Sequence, residues 1–260
     1  MSTDNSQPQI ITSPKNSSNE IIAEIINLKK SFGEQEVLKS ISFKLYKGEN
    51  LVVLGKSGSG KSVLIKCIVR LMNADDGSIN VFGKDVYKLS SKELSIMREK
   101  IGFLFQSGAL YDSMTVKQNL EFPLRRIKMG LNEKEISEKV NEVLENVGLK
   151  DSLNKMPSQL SGGMRKRISL ARTIIVDPLI MLYDEPTTGL DPITSDEISL
   201  LINDVQKKYK TSSIIITHDI NCALATANRI LMLKDGEVYL EGNSDEFEKS
   251  SDPLIKSFFK

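Results

Sequence analysis

The sequence predicts an α/β protein with a mainly parallel sheet and helices on both faces. Residues 50–54, 179–183 and 213–217 are short, nearly all-apolar runs, as is typical of strands buried on both faces. A segment with helical periodicity follows each run. Alternating strands and helices favour a parallel sheet, and 260 residues suffice to bury a sizeable core.

The first part of the chain predicts half-buried strands. Residues 24–46 alternate apolar and polar side chains, with Gly33 and Gly48 as punctuation. The buried strand at 50–54 is followed by a Gly/Ser loop and a helix-like stretch over 63–71. This order is strand, loop, helix.

The middle of the chain changes from strand to helical patterning. We predict strands at 79–82 and 101–105 with a short helix at 92–99 between them, and a mostly helical insertion at about 107–170. One apolar stripe marks that insertion. Its members are Ile136, Val140, Val143, Leu144 and Val147.

Helices and strands alternate again in the last third of the chain. After the strand at 179–183 we expect further elements and a short helical tail. They are a helix at 192–208, a strand at 213–217, a helix at 220–227, and strands near 229–233 and 237–241.

The N-terminal 20 residues, rich in Ser, Asn and Pro, predict a disordered tail. They lack the basic start and apolar core of a secretory signal. We therefore expect residues 21–260 to form a single domain, with the helical insertion inside it.

Composition narrows the function classes. The chain has 35 basic and 34 acidic residues, and this balance argues against a dedicated nucleic-acid binder. No apolar run approaches the roughly 18 residues of a membrane span, so a membrane role would require partners. Cys67 and Cys222 lack the spacing of a metal site or disulfide framework, and we expect buried, reduced thiols.

A phosphate-binding loop is the strongest motif. Its members are Gly55, Lys56, Ser57, Gly58, Ser59, Gly60, Lys61 and Ser62. The glycines let backbone N–H groups turn toward phosphate oxygens at a helix N-terminus. Lys61 is expected to reach the β- and γ-phosphates, and the Ser62 hydroxyl to bind Mg²⁺. The alternative is a flexible Gly/Ser turn, which the strand-to-helix context disfavours.

Two carboxylates follow the strand at 179–183. In enzymes with such a loop, an aspartate at this place helps to hold Mg²⁺, and Asp184 fits that role. Glu185 is placed to polarise an attacking water. An ordinary acidic turn is the alternative reading if the pair is taken alone.

Two weaker signals accompany these motifs. His218, the single histidine, follows the strand at 213–217 at the carboxyl edge where ligands bind in such sheets, although a lone histidine is usually structural. Residues 160–164, Leu-Ser-Gly-Gly-Met, start an Arg/Lys-rich helix and form either an anion-binding end or a plain N-cap turn.

The order of these motifs resembles that of ABC-transporter ATPases from about residue 24 to the end. The resemblance implies a RecA-like P-loop NTPase core with an N-terminal antiparallel β subdomain and an inserted helical subdomain. By this resemblance, Phe32 is the aromatic residue that stacks on adenine and Gln106 is the Q-loop glutamine. Asp184 and Glu185 are the Walker B aspartate and the catalytic glutamate, and His218 is the switch histidine. The signature motif is then Ser161, Gly162, Gly163 and Met164, with methionine where glutamine is common, and the D-loop ends at Asp191.

The resemblance also implies a mechanism and partners. Two cassettes dimerise head to tail, so that each ATP lies between one phosphate loop and the signature motif and Asp191 of the other copy. Ser62, Gln106 and Asp184 are the implied Mg²⁺ ligands. Hydrolysis proceeds by in-line attack of water, assisted by Glu185, His218 and Gln106.

A narrower resemblance concerns cargo. Residues 103–124, the SGGMRKR and DEPTTGLDPIT segments and the closing residues 252–259 are similar to Mla-type (MCE-associated) phospholipid transporter ATPases. This implies a permease, an MCE-domain lipid-binding protein and a position on the cytoplasmic side of the inner membrane. Apolar residues are expected either to line a groove for the permease or to pack internally. They are Ala109, Leu110, Tyr111 and Met114.

Other function classes stay open. An importer of amino acids or another small solute is the nearest alternative. A soluble ABC ATPase of translation or DNA repair is disfavoured by the single phosphate loop and by the lack of a heptad run between Lys61 and Asp184. A P-loop GTPase is disfavoured because the guanine-reading motif Asn-Lys-x-Asp is absent. Asn154-Lys155-Met156 is followed by Pro157 and not by aspartate.

Overall fold

The computed structural model describes residues 9–10 and 20–259 and contains two compact units. The first unit combines Met1–Leu94 with Ser212–Lys260, and the second is Ser95–Thr211. Most of the predicted disordered tail lies outside the described residues.

The first unit holds most of the strands. Its first chain segment forms β1 (Gln9–Ile10), β2 (Ile21–Phe32), β3 (Gln35–Tyr46), β4 (Asn50–Leu54), α1 (Lys61–Ile68), β5 (Asp76–Val81), β6 (Lys84–Asp85) and the start of α2 (Ser91–Glu99). Its second chain segment, which follows the second unit in the sequence, forms β9 (Ser212–Thr217), α7 (Ile220–Thr226), β10 (Arg229–Lys234), β11 (Glu237–Gly242), α8 (Ser244–Glu248) and α9 (Pro253–Lys256).

Among the described residues, the second unit holds two strands, four whole α-helices and the end of α2. Its elements are the rest of α2, β7 (Ile101–Leu104), α3 (Val116–Ile127), α4 (Glu133–Asn146), α5 (Gly162–Ile174), β8 (Ile180–Asp184) and α6 (Pro192–Tyr209). Strands β7 and β8 pair in parallel.

The parallel core of the first unit follows from short runs that are mainly apolar. All residues of β4 and β9 are buried, and the two strands pair in parallel with Leu54 opposite Thr217. Strand β10 pairs in parallel with the other edge of β4. Because both neighbours are parallel, the carboxyl ends of β4, β9 and β10 meet at one edge, where the phosphate loop begins.

An antiparallel sheet, in the order β3-β2-β5-β6, occupies the N-terminal part of the first unit. Its first strand begins at Ile21, three residues before the predicted start. Ala23, Ile25 and Leu28 are buried, and a bulge between Ile25 and Leu28 shifts the alternation by one residue. Asn27 takes a φ of +50° at that bulge, which returns Leu28 to the core face.

The predicted helical insertion consists of separate helices. The stretch 116–147 divides into α3 and α4, and Asn132 caps α4 in a reciprocal pair with Glu135. The predicted apolar stripe is confirmed, since all five of its side chains are buried.

Element boundaries differ from the predicted ones by a few residues. Helix α1 begins at Lys61 instead of residue 63, because Gly60 is already its N-cap, and it ends at Ile68. Strand β8 extends to Asp184, so this carboxylate belongs to the strand itself. Cys67 and Cys222 are buried thiols, as predicted.

Within residues 9–10 and 20–259, no helix combines the length and apolar character needed to cross a bilayer. Among the same residues there is no cluster of three or more His, Cys, Asp or Glu side chains placed to hold a metal ion.

Candidate nucleotide-binding site

The loop between β4 and α1 has the backbone of a phosphate cradle. Gly58 and Gly60 take φ values of +82° and +96°, a conformation that favours glycine. Gly60 is the N-cap of α1 and brings no side chain to the first N–H groups of the helix. The Lys61 Nζ donates to the carbonyls of Gly55 at 2.7 Å and Lys56 at 3.0 Å, so the amine lies inside the loop.

Close packing fixes the shape of this loop. A Cβ on Gly60 would lie 2.7 Å from Leu38 Cδ2 and 2.9 Å from the Val37 carbonyl oxygen. The Gly55 N–H donates to the Thr217 carbonyl at 3.2 Å. The loop therefore starts beside the end of β9, where the next residue is His218, as the sequence predicted for a carboxyl edge.

Phe32 lies at the end of β2 with 48% of its surface exposed. The Lys30 amine is 5.4 Å from the ring centroid and also forms an ion pair with Asp75. A cavity of about 410 Å³ borders the loop residues 56–59. Leu254 and Phe258 line it, a contribution of the C-terminal segment that sequence patterning did not reveal.

In the second unit, Asp184 and Glu185 are both buried at the end of β8. Glu185 has a φ of +51°, a strained conformation for a residue with a long side chain. Its carboxylate accepts a hydrogen bond from the Thr188 hydroxyl at 3.2 Å, and its carbonyl accepts one from the Thr188 N–H at 3.3 Å. The chain thus turns back on itself directly after the two acids.

Lys166 of α5 is a buried cation next to these acids. Its Nζ donates to the Gln106 carbonyl at 2.6 Å and, over a longer distance of 3.4 Å, to the Glu185 carbonyl. Burial lowers the pKa of the Lys166 amine, whereas the charges of Asp184 and Glu185 act in the opposite direction. The predicted residues Gln106 and Glu185 are therefore joined through a side chain that the sequence analysis did not assign.

The predicted signature and D-loop residues start two neighbouring helices. Ser161 caps α5 by accepting from the Met164 N–H, and Asp191 caps α6 by accepting from the Thr194 N–H and hydroxyl. These bonds hold the pKa of Asp191 below its usual range. A Cβ on Gly163 would lie 2.6 Å from Thr194 Cγ2, so glycine permits the close approach of α5 to α6.

Gln106 is exposed and follows β7 in an irregular segment. Farther along, Tyr111 is 42% exposed, with its ring edge-on to Phe122 and under the Arg172 guanidinium. The buried Asn119 amide binds the carbonyls of Tyr111, Met114 and Thr115, which attaches this segment to α3. Ala109 is exposed as well, whereas Leu110 and Met114 are half-buried.

The donor set suits a nucleotide with its metal ion. The loop offers backbone N–H groups, a helix N-terminus and a lysine amine, which together bind phosphate. Ser62, Gln106 and Asp184 carry oxygen atoms, the ligand type that Mg²⁺ prefers. The residues present therefore fit both groups.

Sequence patterning did not single out two side chains that contact the predicted site residues. Thr188 was not singled out, because a threonine after two acids has no distinctive pattern. Lys166 appeared only as one member of the run Arg165, Lys166 and Arg167. A signal was available, because three consecutive helical residues point in three directions and cannot all face solvent on a packed helix.

Comparisons with known proteins identify the fold class and the family of this chain. The family model described as ABC transporter matches residues 38–188, more than half of the chain. The solved structure of the ATP-binding cassette MJ0796 bound to ADP and Pi superposes with a TM-score of 0.77 at 34% identity, covering 85% of this chain and 98% of that one. This confirms the P-loop NTPase fold class.

Three curated relatives align over most of the chain. Protein TRIGALACTOSYLDIACYLGLYCEROL 3, chloroplastic, of Arabidopsis thaliana is 40% identical, with 92% of this chain and 73% of that protein covered. The methionine import ATP-binding protein MetN of Campylobacter jejuni is 36% identical, with 90% and 74% covered. The intermembrane phospholipid transport system ATP-binding protein MlaF of Haemophilus influenzae is 36% identical, with 93% and 91% covered.

ATP together with Mg²⁺ is the cofactor pair of such cassettes, and the loop described above has the chemistry to bind it. The matched family model, the solved cassettes and the relatives all lead to one classification. This chain belongs to the ABC transporter family, as one of its ATP-binding proteins.

Proposed function

We propose that this chain is the Mg²⁺-dependent, ATP-hydrolysing subunit of a membrane transporter that moves phospholipid. The observation that carries the ATPase part is the position of the Lys61 amine inside the loop, at the start of α1. A cation there meets phosphate oxygens where the first N–H groups of a helix also point.

Binding roles are assigned by residue type and motif. Residues 55–62 hold the phosphates, and the exposed ring of Phe32 stacks on adenine. Ser62, Gln106 and Asp184 hold Mg²⁺, which supplies neutralisation of phosphate charge when it is bound.

Catalysis then depends on positioning an attacking water. Glu185 accepts a hydrogen bond from that water and orients it for in-line attack on the γ-phosphate. His218 and the Gln106 side chain contact the γ-phosphate or the same water. Little covalent chemistry is left to the protein, so the rate depends on how accurately these groups are held.

A second copy of the chain completes each site in this proposal. The relevant surface is the exposed start of α5, where residues 161–164 and Asp191 present helix N-termini to a nucleotide held by the partner. The dimeric solved cassette bound to ADP and Pi supports this arrangement. Met164 leaves the backbone N–H groups of Gly162 and Gly163 as phosphate donors.

Replacing Lys61 tests the nucleotide site. Lys61→Ala removes the amine from the loop and should weaken ATP binding at least about tenfold, since a charge-assisted contact contributes roughly 1.5–3 kcal/mol. Lys66→Ala, in the last turn of the same helix, is the matched control and should bind ATP normally. Unchanged affinity in Lys61→Ala would remove the phosphate cradle from this loop.

The phospholipid assignment draws on two kinds of support. MlaF of Haemophilus influenzae, whose name states phospholipid transport, aligns over nearly its full length. The sequence patterns of residues 103–124 and 252–259 are similar to those of Mla-type phospholipid transporter ATPases. The partners in this proposal are permease subunits, an MCE-domain lipid-binding protein and a second copy of this chain, at the cytoplasmic side of the inner membrane.

Import of an amino acid is the second candidate, because MetN of Campylobacter jejuni and MlaF of Haemophilus influenzae have the same sequence identity to this chain. Purification of the tagged chain from membranes, with identification of co-purifying subunits and lipids, separates the two. Recovery of an MCE-domain protein with phospholipid supports the first proposal. Recovery of a solute-binding protein without lipid supports the second.

The segment 109–114 is the proposed contact for a permease. Tyr111 is exposed, yet it is held between Phe122 and Arg172, while Asn119 fixes the backbone. An exposed but immobilised aromatic side chain suits recognition, because little conformational freedom remains to be lost on binding. The opposing reading, internal packing alone, predicts that a charge at Tyr111 leaves the complex intact.

A further inference from the structure

We infer that Lys166 is a positioning residue for ATP hydrolysis, which acts by holding the main chain of Glu185 and Gln106 in one arrangement. This inference rests on the proposed function, in which Glu185 orients the attacking water. It adds a residue that touches neither nucleotide nor metal and that works through two others.

The geometry of the amine is the first argument. Lys166 is only 7% exposed, and its Nζ reaches the Gln106 carbonyl at 2.6 Å and the Glu185 carbonyl at 3.4 Å. A buried ammonium is costly unless its donors are used, so this contact is specific and not a solvent-facing charge that happens to lie nearby. Two carbonyls from distant parts of the chain thereby share one donor group.

The state of Glu185 is the second argument. Its φ of +51° costs on the order of 1–3 kcal/mol for a non-glycine residue and persists only where neighbours enforce it. The Glu185 carbonyl accepts hydrogen bonds from the Thr188 N–H on its own turn and from the Lys166 amine. Lys166 is thus a donor from outside that turn, and it favours the one backbone orientation that places the carboxylate.

The face of α5 that carries Lys166 supplies the third argument. Lys166 binds the Gln106 carbonyl and Arg172 binds the Ala109 carbonyl at 2.7 Å, while a Cβ on Gly108 would lie 2.6 Å from Ser169 Oγ. Helix α5 therefore holds residues 106–109 of the segment after β7. Since α5 begins with the predicted signature residues, a displacement of this helix would reach Glu185 and Gln106 directly through Lys166.

The test compares Lys166→Met, which keeps the aliphatic stem and removes all donors, with Lys166→Gln, which keeps a neutral donor. In the full-length protein we expect Lys166→Met to lower kcat roughly 10- to 100-fold, as misplacement of a catalytic group does, with KM and ATP affinity within about threefold. Lys166→Gln should lose less than Lys166→Met. If Lys166→Met fails to fold, Lys166→Gln against wild type decides by the same split of kcat from KM.

A matched control excludes a general effect on α5. Arg167, the next residue, donates to the Val147 carbonyl at 3.2 Å and to the Glu197 carboxylate at 2.6 Å, away from both proposed targets. Arg167→Gln should lower Tm while kcat stays within about twofold of wild type. An equal loss of kcat in Arg167→Gln and Lys166→Met would overturn the inference.

A double-variant cycle with Glu185→Gln identifies the path of the effect. Since Glu185 is the residue of the pair that orients the attacking water, Lys166→Met should cost little further turnover once that carboxylate is gone, within about threefold. Losses that multiply, or parallel losses of kcat and nucleotide affinity, would contradict the inference. The Glu185→Gln variant is measured before any Lys166 variant. Normal hydrolysis by Glu185→Gln alone would contradict the proposed function and not the role of Lys166.

Discussion

The Thr188 hydroxyl donates a hydrogen bond to the Glu185 carboxylate, with 3.2 Å between Oγ1 and Oε2. The two residues lie in one turn after β8, and the backbone repeats the link through the Thr188 N–H and the Glu185 carbonyl. A carboxylate that must orient water is thus restrained by a neighbour three residues away.

Removal of this hydroxyl should slow turnover. Thr188→Val keeps the shape of the side chain, and loss of a hydrogen bond to a charged group, about 1.5 kcal/mol, corresponds to roughly a tenfold lower kcat. ATP affinity should change less than about twofold. Steady-state hydrolysis with Thr188→Ser as the control checks this, and a wild-type kcat in Thr188→Val would show that the bond is dispensable.

The carboxylate itself should be essential for hydrolysis. Glu185→Gln retains the size of the side chain but lacks the negative charge that orients water, so kcat should fall at least about 100-fold while ATP still binds. Trapping of an ATP-bound dimer is the second expected result, measurable by size-exclusion chromatography with Mg²⁺ and ATP. A variant that hydrolyses ATP near the wild-type rate would transfer the catalytic role to another residue.

The phosphate loop offers a matched pair of glycine substitutions. Gly60→Ala adds a Cβ at a φ of +96° that would lie 2.7 Å from Leu38 Cδ2, so it combines strain with a clash. Gly58→Ala has a φ of +82° with no heavy atom within 4 Å of the added Cβ, and it carries strain alone. Thermal unfolding should therefore show the larger loss of stability in Gly60→Ala, and equal losses would contradict the packing described here.

A charge at the proposed permease contact should separate binding from ATP chemistry. Tyr111→Asp or Leu110→Asp places a carboxylate on this surface and should abolish co-purification of the membrane subunit while ATP affinity stays normal. Met129→Asp, at an 85% exposed site in the same unit, is the control and should leave the complex intact. An intact complex in Tyr111→Asp would favour internal packing as the role of the segment.

The thiols should resist modification in the folded protein. Burial raises the pKa of Cys67 to about 11 from 9.0, which leaves little thiolate near neutral pH. A raised thiol pKa means that folding favours the protonated form of Cys67. The reactive thiolate therefore appears only at more alkaline pH than in the unfolded chain. Iodoacetamide at pH 8 should label neither cysteine until denaturant is added, and rapid labelling of Cys67 would indicate an open α1.

Much of this protein follows from short-range pattern. Strands such as β4 and β9 are fully buried and have apolar centres because both of their faces are covered, and that requirement is visible in the sequence. Glycines at 58 and 60 disclose the loop because few other residues tolerate its backbone. Local rules of burial and conformation therefore predict the fold class and the residues named for the site.

Helix breaks and shifts in register were harder to predict. The separation of α3 from α4 depends on the cap at Asn132, and the inward turn of Leu28 depends on a bulge at Asn27. A periodicity averaged over many residues hides an interruption of one or two. Element boundaries consequently moved, although the elements themselves were predicted.

The sequence by itself determined which residues have the chemistry for phosphate and Mg²⁺, because that chemistry resides in side-chain type and local spacing. Only the tertiary structure decided which other side chains hold these site residues in place. Lys166 meets Gln106 across 60 residues and Glu185 across 19. Contacts at such separations depend on how helices and strands pack in three dimensions, and that information has no fixed period along the chain.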